Sequence, residues 1–234
     1  LSQHKSASAG IMDAHTGALY AMVSHPSFDP NLFIRGIDTE RWQDLLSNPA
    51  FPLNNKAISG QYPPGSTFKM VTAMAALEGG FSSKNTSVKC TGYYEYGADR
   101  YYCWKRGGHG TVNLLTSLMK SCDTYYYKLC TEVGIDNIAK MARRLGLGQR
   151  YNFDLREERP GLIPDKEWKL ARESKPWRPG ETIIASIGQG YMLTTPLQLA
   201  VMTSRLVNGG RAVEPWLVGY LGHKNLHPEG NWPS

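Results

Sequence analysis

Tyr62-Pro63-Pro64-Gly65-Ser66-Thr67-Phe68-Lys69-Met70 is followed directly by the apolar run Val71 to Leu77. Proline and glycine break the chain up to Gly65, so a helix is expected to start at or near Ser66 and to stop at Gly79-Gly80. On that helix Ser66 and Lys69 are three residues apart and share a face. A hydroxyl beside a buried amine is a nucleophile with its base attached. The helix N-terminus adds main-chain N–H groups where an oxyanion would form. The four letters Ser-x-x-Lys arise by chance about once in a chain of this length. The context is what gives them weight: Pro63-Pro64-Gly65 places the serine at a helix start, and Ser121-Cys122-Asp123 follows downstream.

Working outward, Ser8 to Met12 and Ala18 to Ser24 read as two strands joined by Asp13-Ala14-His15-Thr16-Gly17. Residues 25–51 read as loop with one short helix near Thr39 to Leu46. Lys84 to Gly110 is polar, rich in Gly and Tyr, and lacks helical periodicity, so something must hold it. Asn113 is the expected cap of a helix Leu114 to Met119, and Ser121-Cys122-Asp123 separates it from Thr124 to Val133. Asp136 is expected to cap Asn137 to Leu145, which ends at Gly146. Tyr151 to Lys175 reads as a charged surface excursion, and Thr195 caps a helix from Pro196 to Asn208. Only two strands are clear, too few for a freestanding sheet.

Composition sets the bounds. With 41% hydrophobic and 20% charged residues, the 234-residue chain suits one large domain or two small ones with a sizeable core. No apolar run reaches transmembrane length and no signal peptide opens the chain. The formal charge of +6 fits a solvated surface with excess Lys and Arg. Aromatics do not alternate with basic residues in a nucleic-acid motif, so no nucleic-acid partner is expected.

The residues allow acyl transfer. Ser66 Oγ would attack a carbonyl, Lys69 would take its proton, and the Ser66 N–H would supply half of an oxyanion hole. Ser121, on the loop between two helices, is placed to relay a proton or to cap the next helix. Asp123 either orients Lys69, accepts a substrate amide N–H, or caps that helix. The cysteines add a second signal. Cys130 lies inside an apolar helix and reads as a buried thiol. Cys90-x12-Cys103-x5-His109-x12-Cys122 brackets the insert that has no core of its own. Three thiols and an imidazole make a closed structural zinc set. The alternative is a Cys90–Cys103 disulfide with His109 exposed.

Ser-x-x-Lys followed by Ser-x-Asn and Lys-Thr-Gly is the penicillin-binding signature. The chain resembles the transpeptidase domain of class B penicillin-binding proteins, most like the penicillin-binding protein 2 branch that serves cell elongation. The matching stretches include Met12-Asp13, Phe28 to Phe33, Tyr62 to Lys69, Trp104-Lys105 with Gly108-His109-Gly110, Ser121 to Thr124, Glu167-Trp168-Lys169, Lys175-Pro176-Trp177 and Ile187 to Tyr191. Asp123 stands where most relatives have Asn, a departure that this branch shares. No Lys is followed by Thr-Gly or Ser-Gly, so the expectation is a fragment cut before the third motif and, alone, poor at acylation.

The resemblance implies an α+β fold of the penicillin-binding protein and serine β-lactamase type, with helices packed on an antiparallel sheet of which part is missing. Within a partial domain over 1–234, residues 1–25 would give the first two strands and 60–146 the helical part. Residues 84–110 would be the insert, and 147–234 the excursion with helix 196–208. It implies a peptidoglycan D,D-transpeptidase acting on stem peptides that end in D-Ala-D-Ala, with Ser66, Lys69, Ser121 and Asp123 catalytic and β-lactams acylating Ser66. Gln189 and Gly190 would lie in a substrate-binding loop. The implied partners are a RodA-type glycosyltransferase and MreC, and the implied location is the periplasmic face of the inner membrane, through an N-terminal anchor. A serine β-lactamase or D,D-carboxypeptidase, or a non-catalytic β-lactam sensor, are the alternatives. A lactamase needs a base for the deacylating water, and none is readable here.

Overall fold

The computed structural model describes residues 3–151, 155–221 and 224–226. The N-terminal hairpin forms as the sequence pattern predicts: β1 (Ala7–Met12) pairs antiparallel with β2 (Leu19–His25), with a bulge at Ile11/Met12. Its turn is closed by Asp13, whose Oδ1 accepts from the N–H groups of His15 and Thr16 at 2.9 and 2.7 Å. Gly17 has φ +79°, and a Cβ there would lie 2.0 Å from the Glu214 carbonyl oxygen, so only glycine lets the later strand-like segment pass.

α1 (Thr39–Ser47) is capped by Asp38, and α2 (Lys56–Ser59) by Asn55. Buried Lys56 holds the intervening loop, donating to the carbonyls of Phe51 at 3.0 Å and Pro26 at 3.4 Å; burial pulls its pKa below the ordinary lysine value. The nucleophile segment departs from the expected single helix. Gly65–Phe68 is a 3-10 turn, and α3 (Lys69–Glu78) starts only after it.

The insert is more ordered than its sequence suggests. β3 (Val88–Cys90), β4 (Tyr93–Tyr96), β5 (Asp99–Tyr102) and β6 (Gly110–Val112) pair as β3 with β6 and β4 with β5. The long irregular stretch expected there is thus two nested antiparallel ladders. Each strand is three or four residues long, too short to show a period.

α4 (Leu114–Met119) has the expected Asn113 cap, completed as a capping box with Thr116. α5 (Asp123–Val133) starts one residue early, with Asp123 inside the helix. α6 (Ile135–Arg144) is led by Gly134, not capped by Asp136, which sits in its first turn and pairs with Lys166 at 2.8 Å. The surface excursion expected over Tyr151 to Lys175 is also corrected, since Tyr151, Glu158, Ile163 and Lys169 are all buried. α7 (Lys166–Glu173) and α8 (Pro179–Ala185) follow, then α9 (Pro196–Val207), begun by a Thr195–Gln198 capping box. β7 (Tyr220–Leu221) and β8 (Lys224–Asn225) form a last short pair.

Two compact units result. The first takes 1–61, 149–161 and 194–234, and its core gathers Ala57, Ile58, Tyr151, Leu197 and Val201 beside partly buried Met12, Leu19 and Met22. In it Gln198, fully buried, donates to the carbonyls of Gln149 and Pro160, both at 2.8 Å. The second takes 62–148 and 162–193. Phe68, Val71, Tyr125, Tyr126, Ile138 and Ile183 are fully buried there.

In the second unit α7 is tied to α8 by an ion pair between buried Lys169 and half-buried Glu181, with Lys169 Nζ near the rings of Trp177 and Tyr191 at 5.9 and 6.0 Å. Removing one partner of such a pair strands the other charge. Lys169→Ala is expected to lower unfolding stability by roughly 3 kcal/mol in urea titrations. The double change Lys169→Met with Glu181→Gln should recover most of that loss; if both behave alike, packing and not the pair holds α7.

Candidate active site

The site is assembled from three short pieces of the second unit. The first is the turn Gly65–Phe68 with the start of α3. Ser66 is exposed, while Lys69 is 1% exposed beneath it. Lys69 Nζ meets Ser66 Oγ at 3.2 Å, Ser121 Oγ at 2.9 Å, the Ser121 carbonyl at 2.8 Å and Asp123 Oδ1 at 2.6 Å. Ser121 Oγ donates to Ser66 Oγ at 2.8 Å, which closes a triangle of two hydroxyls and one amine.

The second piece is the loop 120–123. Ser121 has φ +48°, a left-handed conformation that costs a non-glycine residue about 1 kcal/mol or more. Surrounding bonds enforce it: the N–H of Cys122 donates to the Ser117 carbonyl at 2.9 Å, and the Ser121 carbonyl accepts from Lys69 Nζ. Asp123 makes no helix-capping bond. One oxygen holds Lys69; the other accepts from the N–H of Trp104 at 2.9 Å. Of the roles left open by the sequence, orienting Lys69 is the one this geometry serves.

Trp104 is the residue sequence reasoning gave no role. Its indole Nε1 donates to the carbonyls of Lys120 and Ser121, both at 3.1 Å, so the insert is fastened to the catalytic loop twice. A main-chain N–H leaves no trace in a residue pattern.

The third piece is the loop after α8. The Gly65 N–H donates to the Gly188 carbonyl at 2.9 Å, and Thr72 Oγ1 donates to the Ser186 carbonyl at 2.8 Å. Gly188 has φ +72°, and a Cβ there would lie 2.4 Å from Gly65 O and 2.7 Å from Phe68 Cβ. Gln189 and Gly190 come next and are exposed. The loop therefore reaches the nucleophile turn through Gly188, while the Gln189 side chain makes no recorded hydrogen bond among the described residues.

Cys90, Cys103, His109 and Cys122 converge, with ligand atoms all within 4.8 Å of one another. His109 Nδ1 faces Cys90 Sγ at 3.6 Å and Cys103 Sγ at 3.5 Å. All four cysteines are free thiols, and Cys130 stands apart on α5, where burial pushes its pKa up to about 12. Burial opposes ionisation of Cys90, yet the Thr124 hydroxyl and the His109 and Gly92 main chain bring its pKa down to about 6. Burial pushes Cys122 up to about 12. His109 Nε2 is buried without a hydrogen-bond partner among the described residues.

An exposed serine hydrogen-bonded to a buried amine and a second hydroxyl at a helix start is the arrangement that serine–lysine acyl transfer requires. The chain belongs to the family described as "Penicillin binding protein transpeptidase domain", which matches residues 7–230. It is 43% identical over 206 residues to peptidoglycan D,D-transpeptidase MrdA of Acinetobacter baumannii, covering 87% of this chain and 31% of that relative. It is similar to the crystal structure of Pseudomonas aeruginosa PBP2, with TM-score 0.91, 39% identity, and 96% and 51% of the two chains covered. It is also similar to Helicobacter pylori PBP2 in complex with MreC, with TM-score 0.88, 35% identity, and 92% and 40% covered. The chain thus spans about a third of that curated relative's length.

The Gly188 contact gives a direct check. Gly188→Ala should cost about 2 kcal/mol or more through overpacking against the nucleophile turn. Gly107→Ala, where the space around Cα is open, should leave the thermal midpoint unchanged. Equal midpoints for the two variants would mean that the 186–190 loop does not brace Ser66.

Proposed function

We propose that this chain is the acyl-transfer part of a peptidoglycan D,D-transpeptidase that cross-links stem peptides ending in D-Ala-D-Ala during cell elongation. The observation that carries the reading is the Ser66–Lys69–Ser121 triangle, with Asp123 holding the amine. Ser66 Oγ forms a bond to the carbonyl carbon of the penultimate D-Ala, and its proton passes to Lys69. Ser121, bonded to both, relays a proton to the leaving D-Ala amine as the C–N bond breaks. The acyl-Ser66 ester is then attacked by an amine of a neighbouring strand. The Ser66 N–H lies in the first turn of the helical segment, where main-chain donors are free for the oxyanion. A β-lactam carbonyl would meet the same serine.

Cys90, Cys103, His109 and Cys122 would hold a structural zinc. The donor set supports this reading: three buried thiols and one imidazole within 4.8 Å, with Nδ1 turned to two of them. Zn–S near 2.3 Å and Zn–N near 2.0 Å give tetrahedral edges of about 3.5 to 3.8 Å, and the Nδ1–Sγ separations of 3.5 and 3.6 Å match them. A closed shell of this kind supplies no bond chemistry; it fixes the insert to the loop carrying Ser121 and Asp123.

The whole protein would act at the periplasmic face of the bacterial inner membrane. No helix among the described residues is long and apolar enough to cross a membrane. The similarity to an MreC-bound relative supports MreC as a partner, and a RodA-type glycosyltransferase is the polymerase such an enzyme would serve.

Fluorescent penicillin tests the nucleophile in the full-length protein. Wild type should carry a long-lived label, Ser66→Ala none, and Lys69→Ala should label roughly a hundredfold or more slowly. Labelling that survives Ser66→Ala, or turns over rapidly as in a lactamase, overturns the assignment.

Metal content tests the second site. Protein purified without chelator should hold close to one zinc per chain; Cys103→Ser should lower that content and Cys130→Ser should not. Metal-free protein with a Cys90–Cys103 disulfide in mass spectrometry would remove the zinc reading.

A further inference from the structure

The β4–β5 hairpin has two unlike faces. Its register sets Tyr93 opposite Tyr102, Tyr94 opposite Tyr101 and Glu95 opposite Arg100. Strand alternation therefore separates Tyr94 and Tyr101 from Tyr93, Glu95, Arg100 and Tyr102. The first set turns inward: Tyr101 lies 5.9 Å from the ring of Tyr127, which is buried on α5.

The second set builds a ladder. The Arg100 guanidinium lies 4.3 Å from the Tyr93 ring, Tyr93 meets Tyr102 edge-on at 6.5 Å, and the Arg106 guanidinium lies 4.1 Å over Tyr102. The two arginines differ in one respect. Arg100 is engaged by Glu95 at 2.5 and 3.2 Å. Arg106 is exposed and joins none of the ion pairs recorded among the described residues. Stacking covers its face and leaves the rim, a planar fork of N–H donors that fits a carboxylate bidentately.

Its main chain is fixed as well. A Cβ on Gly92 would fall 2.0 Å from the Arg106 carbonyl oxygen, so the backbones touch there. The Gly108 N–H donates to the Lys105 carbonyl and the Cys103 N–H to the Gly92 carbonyl, both at 2.9 Å. Two residues before Arg106, Trp104 holds Asp123 and the Ser121 carbonyl. The arginine is therefore carried by a rigid turn fastened to the acyl site. The charge around it is favourable: residues 84–110 hold Lys84, Lys89, Arg100, Lys105 and Arg106 against Glu95 and Asp99.

We propose that Arg106, stacked on Tyr102, takes a carboxylate of the peptidoglycan strand presented to Ser66, one distant from the bond being broken. The site would select strands by a charged group that the acyl chemistry itself does not read. This inference rests on the transpeptidase reading above. A carboxylate is favoured because the donor rim is planar and forked, and because the strand delivered to this turn is a peptide-bearing polymer.

The test is co-sedimentation of detergent-solubilised full-length protein with purified, insoluble peptidoglycan, with thermal midpoints taken to confirm folding. Arg106→Gln should lower the pelleted affinity roughly tenfold, the loss expected for a charge-assisted pair. Arg106→Lys should recover only part of it, Tyr102→Leu should weaken binding in the same direction, and Lys89→Gln should bind like wild type. Wild type should also lose affinity for polymer whose carboxylates have been amidated. Equal binding by wild type and Arg106→Gln, full recovery in Arg106→Lys, or indifference to amidation overturns the proposal. Equal polymer binding by the two proteins, with weaker retention of Arg106→Gln than of wild type on phosphatidylglycerol vesicles, overturns it in favour of a membrane contact. If wild type takes no penicillin label, the transpeptidase reading falls and this proposal with it; if it labels normally while Arg106→Gln pellets like wild type, this proposal alone falls.

Discussion

A buried amine with four oxygen neighbours is the constraint on which the second unit depends. Lys69 is 1% exposed, and its Nζ lies within hydrogen-bond distance of Ser66 Oγ, Ser121 Oγ, the Ser121 carbonyl and Asp123 Oδ1. Taking such a group out of water is costly unless its partners are fixed in place. Each of those partners is in turn held. Ser66 sits on a turn bonded to Gly188, Ser121 is kept in a left-handed conformation, and Asp123 is gripped from behind by the Trp104 N–H. The same bonds that make the lysine tolerable in the interior aim it at the serine. In the proposed reaction, stability and reactivity would thus be served by one set of contacts.

The parts of this arrangement that were readable in the sequence are those written in local chemistry. Pro64, Gly65 and the apolar run placed the start of the helical segment, though its first turn is 3-10 and α3 begins only at Lys69, and Thr195 and Asn113 announced two capped helices that formed as expected. Asp13 with Gly17 announced the first hairpin. What failed had a common cause. The four insert strands are three or four residues long, and β3 finds β6 across nineteen intervening residues, so no periodicity reports them. Helix α8 has seven residues and begins at a proline that reads equally well as a loop. Asp136 looked like a helix cap by type, but Gly134 had already turned the chain with φ +78°.

The site shows the same division. Ser66, Lys69, Ser121 and Asp123 were legible because it is their side chains that meet. Trp104 and Gly188 were not: Trp104 acts through its main-chain N–H and an indole N–H aimed at main-chain carbonyls, and Gly188 through the absence of a Cβ, and none of these acceptors or neighbours is visible in a residue pattern. Gln189 was singled out through the family resemblance, while the hydrogen bond to the nucleophile turn belongs to the glycine before it. A residue can be essential to a site through what its neighbours require of the backbone, and that requirement appears only once the chain is folded.

Residues 84–110 bury little apolar area of their own: Val88, Cys90 and Cys103 are the insert's buried apolar side chains among the described residues. Hydrophobic burial at about 25 cal/mol per Å² cannot order a segment of this size against its conformational entropy. Three other devices are present instead. The thiol–imidazole cluster gathers both ends of the segment, the Trp104 bonds pin its middle to the catalytic loop, and the Arg100–Tyr93–Tyr102–Arg106 ladder stiffens its hairpin. Each is polar or directional, and each acts at a defined place. A segment ordered in that manner keeps its position relative to Ser121 and Asp123 without extending the core. It therefore presents a charged, aromatic surface beside the nucleophile that a purely hydrophobic insert would have had to bury.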